Sequence, residues 1–391
     1  MTIKAHTIRL FPNKEQELAL NKAIGVARFA WNWALNEWER QYKEGLKPDK
    51  NKINKALNSI KKEQFPWMME VTKCAASRAI MNLGQAYQFY FNSLKNKSKR
   101  KIGKPKFKSK RNAKQSFYID NDIKRIKNNL FYVPKLESGI KMSEQLRFSG
   151  KIISYIVFKD IDRWYVSVSV NTVVQELPKT GKTVGIDLGV KTLATMSDKT
   201  VIENQRLLKQ NLKKLRRQQR ALARKQKESK NREKARVKLA KIHRKIRFKR
   251  RDIIQQATTK LVKNYDVLVI EDLSVANMVK NRKLALAISE IGWGMFRETL
   301  KYKCEMYGKK LIVANRFYPS SKTCSNCGCI KKELKLPERT YNCEDCGFSI
   351  DRDLNAAINL EKLGACCPEV MPVEVSVSEP LKQEDLAKNI G

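Results

Sequence analysis

The sequence predicts a multidomain α+β protein, in which a small antiparallel β-barrel interrupted by helices precedes an α/β domain with a cysteine-rich insertion. Three observations predict this fold class. Short β-rich runs lie on both sides of a long helical stretch in the first half of the chain. In the second half, buried apolar strands alternate with helices and end in carboxylates. Two C-x-x-C pairs interrupt that second pattern. A length of 391 residues accommodates two to three domains of ordinary size.

The first half changes from strand to helix and back to strand. Residues 2–12 predict one strand, and residues 14–46 and 66–94 carry the apolar periodicity of helices. Residues 95–114 form a basic segment broken by glycine and proline, which predicts a loop. Between 116 and 172 the chain returns to short β-rich runs separated by turn signals. We therefore expect the helices to be an insertion into an antiparallel barrel.

The second half predicts a sheet covered by helices. Residues 183–203 predict three short strands, and the apolar runs 266–270 and 310–314 predict two buried ones. An amphipathic helix is expected over 293–307, and a short helix over 353–363. Strands alternating with helices in this way indicate an α/β domain.

A basic stretch between Arg206 and Arg251 predicts a helical hairpin. It holds 22 Lys and Arg against two Glu, yet Leu208, Leu215 and related apolar residues recur at heptad spacing. A charge run is usually a solvated face, but self-repulsion at this density favours an anionic partner. The candidate nucleic-acid contacts on this hairpin are Lys213, Arg216, Arg217, Arg220, Arg224, Arg247 and Arg250.

The overall charge also indicates a polyanionic partner. The chain contains 81 Lys and Arg against 39 Asp and Glu, a net charge of +42. Only His6 and His243 are present, which argues against His-dependent nucleophilic catalysis and His-rich zinc hydrolases. No window holds the roughly 18 consecutive apolar residues that a membrane span needs. We expect a cytoplasmic protein that uses neither a membrane nor a small-molecule substrate.

Three carboxylates follow strands or begin a helix. Asp187 ends the strand TVGID, Glu271 follows DVLVI, and Asp353 lies at the start of the last helix. Carboxylates at one edge of a sheet can hold two divalent cations roughly 4 Å apart, and Mg²⁺ prefers such oxygen ligands. Each carboxylate alone is a weak signal, and Asp353 could instead be an ordinary N-cap. Glu203 and Asp272 are interpreted as flanking residues.

The cysteines predict one structural zinc site. Cys324/Cys327 and Cys343/Cys346 form two C-x2-C pairs separated by 15 residues, a spacing typical of tetrahedral zinc ligands. Gly328 and Gly347 follow the pairs, as a zinc knuckle requires. Cys329 is the nearest competitor, but it lies outside the C-x-x-C register.

These motifs together resemble the TnpB family, the transposon-associated RNA-guided DNA endonucleases related to compact type V CRISPR effectors. The resemblance covers roughly residues 1–365. Its motifs stand in the family's order: GKPKFKSK (103–110), GIDLGVKTLAT (185–195), VIEDLS (269–274), WGMFRETLKYK (293–303), FYPSSKTCSNCG (317–328), ERTYNCEDCG (338–347) and DRDLNAAINL (351–360).

The resemblance implies a role for individual residues. Asp187, Glu271 and Asp353 match the catalytic acids of an RNase H-like (RuvC) domain that holds two Mg²⁺ ions, with Asp351 as the alternative to the third. Arg339 matches an arginine near the scissile phosphate. The implied partners are a guide RNA and double-stranded target DNA read beside a short motif. Further implied nucleic-acid contacts are Lys73, Ser77, Lys104, Lys106, Phe107, Lys108, Lys110 and Arg111.

The resemblance also implies a domain organisation. The expected parts are a wedge-like β-barrel (1–13 and 115–180), a helical recognition lobe (14–114), a RuvC-like nuclease domain (181–315 and 350–366, with the basic hairpin at 204–260), a zinc-ribbon target-nucleic-acid-binding domain (316–349) and a disordered tail (367–391).

Three other functions remain open from the sequence. The first is a guide-RNA-dependent DNA-binding regulator with little or no cleavage, which would share the charge, the zinc ribbon and the lobes. The second is a compact type V CRISPR effector, because the sequence does not say where the guide RNA originates. The third is a transposase that joins DNA ends without RNA.

Overall fold

The computed structural model describes residues 2–95, 102–111, 114–119, 125–173, 176–281, 284–335 and 337–365. By its internal contacts the chain divides into two compact units, Met1–Val174 and Gln175–Gly391. The finer domain boundaries expected from the sequence stay predictions. The tail expected at 367–391 lies outside the described residues.

An antiparallel sheet forms the framework of the first unit. The strands are β1 (Thr2–Phe11), β2 (Ser116–Ile119), β3 (Ile126–Lys127), β4 (Leu130–Phe131), β5 (Ile140–Met142), β6 (Lys151–Asp160) and β7 (Arg163–Thr172). They lie side by side in the order β2-β6-β7-β1-β5-β4-β3, and every neighbouring pair is antiparallel. The predicted turn Asn128-Asn129 connects β3 to β4, and both residues have positive φ, as such a tight hairpin requires.

The predicted antiparallel strands form one sheet, but the prediction that this sheet closes into a barrel is wrong. Within the described residues, the edge strands β2 and β3 do not pair with each other, so the sheet is open. β3 and β4 are two residues long, and β2 has four. In the described part of the chain β3 pairs with β4 alone, so no ladder of backbone hydrogen bonds joins the two ends of the sheet, as closure into a barrel would require.

Helices are inserted between β1 and β2, as expected. They are α1 (Lys14–Lys43), α2 (Lys50–Gln64), a 3₁₀ turn (Pro66–Glu70) and α3 (Lys73–Lys95). α1 begins with a capping box, in which Asn13 Oδ1 accepts from the Gln16 amide at 2.8 Å and Gln16 Oε1 accepts from the Asn13 amide at 3.0 Å. The single helix predicted over 66–94 is instead a 3₁₀ turn followed by α3.

The second unit contains a mixed sheet. Its strands are β8 (Thr183–Asp187), β9 (Thr192–Met196), β10 (Val201–Glu203), β11 (Val267–Glu271) and β12 (Lys310–Ala314), ordered β10-β9-β8-β11-β12. β8, β11 and β12 are parallel, whereas β9 pairs antiparallel with both β8 and β10. A small hairpin of β13 (Thr340–Asn342) and β14 (Ser349–Asp351) follows.

The helices of this unit are α4 (Leu207–Ala223), α5 (Lys230–Asn264), α6 (Val275–Met278), α7 (Ala285–Ile291), α8 (Trp293–Tyr307) and α9 (Arg352–Ala365). α4 and α5 form the predicted basic hairpin, and Leu208, Leu215 and Ile246 are buried in its seam. None of the described helices is both long and apolar enough to span a bilayer.

Two glycines allow α9 to lie directly on the sheet. A Cβ on Gly185 of β8 would come within 1.9 Å of the Ala357 carbonyl oxygen and 2.5 Å of the Glu361 amide nitrogen. A Cβ on Gly364 would come within 2.5 Å of Val269 Cγ2 on β11. Because backbone atoms occupy the space beside Gly185, even alanine would push α9 off the strand that ends in Asp187.

A buried lysine joins α8 to α5 and predicts a pH-dependent stability. Lys303 Nζ donates to Gln255 O, Thr258 Oγ1 and Thr259 Oγ1 at 2.7–2.8 Å, and burial lowers the pKa of Lys303 to about 8 from 10.5. Between about pH 8 and pH 10.5, Lys303 is protonated in the unfolded chain but has lost its proton in the folded protein. The free energy of unfolding therefore rises with pH in this range. Relative to Lys303→Met, the wild type should gain up to about 3 kcal/mol of unfolding free energy from pH 7.5 to 10.5.

Denaturant unfolding at the two pH values measures this difference. Lys301→Met on the same helix is the control and should show no comparable change relative to the wild type. Parallel pH profiles for the wild type and Lys303→Met would contradict the prediction.

Candidate active site

Asp187 and Glu271 lie next to each other at the carboxyl ends of two parallel strands. Ile186 of β8 is in register with Ile270 of β11, and the two acids are the next residue of each strand. Neighbouring strands are about 4.8 Å apart, and residues in register point to the same face. The sheet therefore places the two carboxylates side by side.

The charge of Asp353 acts on both of these carboxylates. Burial raises the pKa of Asp187 well above its ordinary value, and the nearby charges of Glu271 and Asp353 raise it further. Burial also raises the pKa of Glu271, where the Ser320 hydroxyl opposes the shift and Asp353 adds to it. The three acids that the sequence singled out therefore lie near enough for their negative charges to repel one another. Among the described residues, the cysteines and not these acids have donor atoms that all lie within 4.8 Å of one another.

The two aspartates at the start of α9 have different structural roles. Asp351 Oδ1 accepts hydrogen bonds from the amides of Asp353 and Leu354, both at 3.0 Å, so Asp351 caps the helix. The alternative reading of Asp353 as the cap is therefore wrong. The Asp353 carboxylate lies 3.6 Å from Arg352 Nη2, and its charge helps to raise the pKa of Asp187.

The other residues considered from the sequence lie at the margin of the site formed by the three acids. The Arg339 carbonyl accepts from the Arg352 amide at 2.8 Å, so this exposed arginine is next to the start of α9. Asp272 pairs with Arg297 and Arg316 at 2.8 and 2.5 Å. Glu203 ends the edge strand β10, which β9 separates from β8.

Sequence reasoning did not single out three polar residues that support the site. Ser320 Oγ donates to Glu271 Oε1, and the buried Asn359 Nδ2 donates to the Ser320 carbonyl at 2.8 Å. Asn355, which is fully buried, donates to the Thr323 carbonyl at 2.7 Å. The sequence did contain a signal for the two asparagines, which lie within the apolar run LNAAINL (354–360). Side-chain amides on a buried helix face need hydrogen-bond partners, so such a pair predicts polar contacts with a neighbouring segment.

Four cysteine sulfurs form a cluster in the second unit. The Sγ atoms of Cys324, Cys327, Cys343 and Cys346 all lie within 4.8 Å of one another, with 3.7 Å between Cys324 and Cys346 and 3.6 Å between Cys327 and Cys343. Four thiolates about 2.3 Å from a central ion would be about 3.8 Å apart, so the cluster fits a tetrahedral metal. Cys329 is exposed and lies outside this cluster.

Two turns bring the cysteines together. Gly328 and Gly347 have φ of 83° and 68°, and their amides donate to the carbonyls of Cys324 and Cys343 at 3.0 and 3.1 Å. Glycine adopts this left-handed conformation most readily, because it has no Cβ to clash with the backbone. The geometry is that of the two knuckles that the spacing predicted.

The basic loop of the first unit is attached to α1. Trp31 Nε1 donates to the Lys106 carbonyl at 3.1 Å, and Lys108 Nζ lies 3.4 Å from the centre of the Trp31 ring. Asn32 makes two hydrogen bonds to the Lys108 backbone, at 2.8 and 2.9 Å. These contacts order the loop, while the Phe107 side chain between them is 59% exposed.

The other candidate nucleic-acid contacts of this unit lie on two elements. Lys73 is exposed at the first position of α3, and Ser77 is half-buried one turn later. In the loop, Lys104 forms an ion pair with Glu39 at 3.1 Å. Lys110 and Arg111 are exposed at the end of the described loop segment. The exposed members present positive charge to solvent.

A cationic groove lies along α4. Its volume is about 460 Å³, and the basic residues that line it are Lys213, Arg216, Arg217, Arg220 and Arg224. Arg247 is exposed on α5, whereas Arg250 is half-buried against Gly292, and burial lowers its pKa. The groove therefore presents a row of cationic side chains to solvent, and Arg250 is the least exposed of the candidates on this hairpin.

Comparison with known proteins identifies the family. Residues 165–282 match a family model described as "Probable transposase", residues 293–360 match the Cas12f1-like TNB domain, and residues 1–47 match a helix-turn-helix domain. A protein of Streptomyces pristinaespiralis named "Putative RNA-guided DNA endonuclease" is 33% identical, covering 94% of this chain and 92% of its own length. TnpB-like protein L79 of Acanthamoeba polyphaga mimivirus is 26% identical, covering 93% of this chain and 73% of its own length. The chain belongs to the TnpB family.

Other relatives match this TnpB family protein over similar lengths. The InsQ protein of Escherichia coli (strain K12), which has the same description as the Streptomyces protein, is 28% identical over 98% of this chain and 97% of its own. A solved Cas12f1-sgRNA-target DNA complex covers 92% of this chain and 99% of the Cas12f1 chain, with 18% identity and a TM-score of 0.36. The two longer family matches include all three acids and all four clustered cysteines.

Proposed function

We propose that this TnpB family protein is an RNA-guided DNA endonuclease that hydrolyses the DNA backbone at Asp187, Glu271 and Asp353. A guide RNA would select double-stranded DNA beside a short motif, and one RuvC-like site would cut it. The convergence of the three carboxylates at the ends of β8 and β11 and the start of α9 supports this function most strongly. Family membership supports the same function, since relatives are named as RNA-guided DNA endonucleases.

The donor set of the site suits divalent cations. It consists of carboxylate oxygens, which are the ligands that Mg²⁺ prefers. The mutual repulsion of Asp187, Glu271 and Asp353 would be relieved by positive charge between them. Two Mg²⁺ ions, when bound, would supply an activated water and stabilise the leaving oxygen of the phosphodiester.

The protein's own residues would hold this arrangement in place. Ser320 restrains the Glu271 carboxylate through its hydroxyl, and Asp351 secures the first turn of α9 that carries Asp353. The close packing of α9 on Gly185 fixes the distance between that helix and β8. Arg339, next to the start of α9, would contact the scissile phosphate.

The basic surfaces would bind the nucleic acids. The groove on α4 and the loop attached to Trp31 present arginine, lysine and an exposed aromatic ring, the groups that grip a backbone and stack on bases. A net charge of +42 suits a protein that binds a guide RNA, its heteroduplex with DNA and a displaced strand.

The cysteine cluster would hold one structural zinc ion. Its four thiolates would complete a tetrahedral shell and leave no position for water. The surrounding segment 316–349 would form a small ribbon that contacts target nucleic acid. Asn355 and Asn359 bond to residues just before Cys324, so the ribbon and the helix that carries Asp353 would be positioned together.

The decisive test starts with the RNA that copurifies with the protein expressed from its own locus. We expect RNA of defined sequence, and Mg²⁺-dependent cutting of plasmids that carry the matching target in a library of flanking motifs. Guide-dependent binding without cutting would favour the regulator over the endonuclease. Strand joining without RNA would favour a transposase.

A further inference from the structure

One aromatic side chain beside the acids points into solvent. Phe317 is 88% exposed, which makes it the most exposed large apolar residue in the described part of the chain. The next residue, Tyr318, packs against Leu360 and its neighbours under the sheet. Burial in the core therefore does not account for Phe317, which lies just after β12 in the motif FYPSS.

The backbone around Phe317 is ordered. Asn315 Oδ1 accepts from the Phe317 amide and the Asn315 carbonyl accepts from the Tyr318 amide, both at 2.9 Å. These two bonds close a turn of the kind that asparagine favours. The turn fixes the backbone that carries the ring, so less backbone freedom is lost when a ligand binds there.

Both sides of this turn are bonded to the acidic end of β11. Arg316, directly before Phe317, pairs with Asp272 at 2.5 Å. Ser320, three residues after Phe317, donates a hydrogen bond from its hydroxyl to Glu271 Oε1. Phe317 therefore lies between two residues that are bonded to the neighbouring acids Glu271 and Asp272. Because Glu271 is a proposed metal ligand, Phe317 lies at the rim of the proposed active site.

We propose that Phe317 is a stacking site for an unpaired nucleobase of the DNA strand that enters the active site. This inference rests on the proposed function for the identity of the strand. The ligand is single-stranded because a base inside a duplex has no free face for the ring, whereas guided unwinding exposes one. Arg316, the residue before Phe317, shares the single carboxylate of Asp272 with Arg297, so this cluster keeps a net positive charge that favours a phosphate nearby.

A binding assay without divalent metal tests the stacking directly. The full-length protein is titrated with a short single-stranded oligodeoxynucleotide that contains 2-aminopurine, whose fluorescence falls when the base stacks. Wild type and Phe317→Tyr should quench the probe. Phe317→Leu, which keeps an apolar side chain but loses the ring, should lose most of the quench and weaken binding by roughly fivefold or more. The position is exposed, so all three proteins should fold alike.

Salt dependence separates stacking from charge. Phe317→Leu should weaken binding by the same factor from 50 to 300 mM salt, whereas Arg217→Ala in the cationic groove should lower the slope of affinity against salt. If Phe317→Leu quenches the probe and binds it like the wild type, the proposal is wrong. The binding assay does not depend on cleavage, so the two proposals can fail separately. A protein that binds and quenches the probe as expected but never cuts DNA would support the stacking site and overturn the proposed endonuclease function.

Discussion

Asp187→Asn is expected to abolish DNA cleavage while leaving guide-dependent DNA binding intact. Asparagine keeps the shape of the side chain but removes a charged oxygen ligand from the proposed metal site. The side chain is buried at the end of β8 and lies outside the basic groove and the basic loop that would hold nucleic acid. Cleavage of a matched plasmid and a gel-shift assay on the same target measure the two effects.

The same substitution should stabilise the protein when no divalent metal is present. Since the pKa of Asp187 is raised in the folded state, the folded protein keeps a proton that the unfolded chain has already lost. Stability therefore falls as pH rises from the ordinary carboxyl range through the raised value. Asparagine does not titrate, so the thermal midpoint of the variant in EDTA should exceed that of the wild type by more at pH 8 than at pH 5.

Glu203→Gln provides the matched control for this substitution. It removes a carboxylate at the end of edge strand β10, where we expect no metal ligand. Cleavage should persist in that variant. Cutting by Asp187→Asn at the wild-type rate would show that the site assignment is wrong.

Cys324→Ser is expected to release the metal, unfold the cysteine-rich segment and abolish cleavage. Cys324 is buried in the cluster, and structural zinc contributes about 10–16 kcal/mol to the folding of small zinc domains. The segment that Asn355 and Asn359 hold would lose its order, and Ser320 would no longer restrain Glu271. Metal content by mass spectrometry and hydrogen exchange over 316–365 measure the two steps.

Cys329→Ser is the control for the cysteine prediction. This thiol is exposed, close in sequence to the cluster and outside it. The variant should retain one zinc per chain and wild-type exchange. Full zinc content and normal cleavage in Cys324→Ser would contradict the proposed structural role of the cluster.

The sequence determined the features whose signals are local. The helix expected over 293–307 and the strand expected over 310–314 match α8 and β12 residue for residue, because an amphipathic period and a short apolar run are encoded in neighbouring residues. The heptad seam of the α4–α5 hairpin follows for the same reason. Strands that end in acids likewise identified Asp187 and Glu271 as candidates.

The tertiary structure decided the features that depend on distant partners. It showed that no described strand closes the first sheet, that Asp351 rather than Asp353 caps α9, and that Trp31 holds the basic loop. Ser320 is one polar residue among many in the sequence, and its role follows from an acid 49 residues away. A hydrogen bond or ion pair between remote residues leaves no periodic trace along the chain, so only the folded structure reveals it.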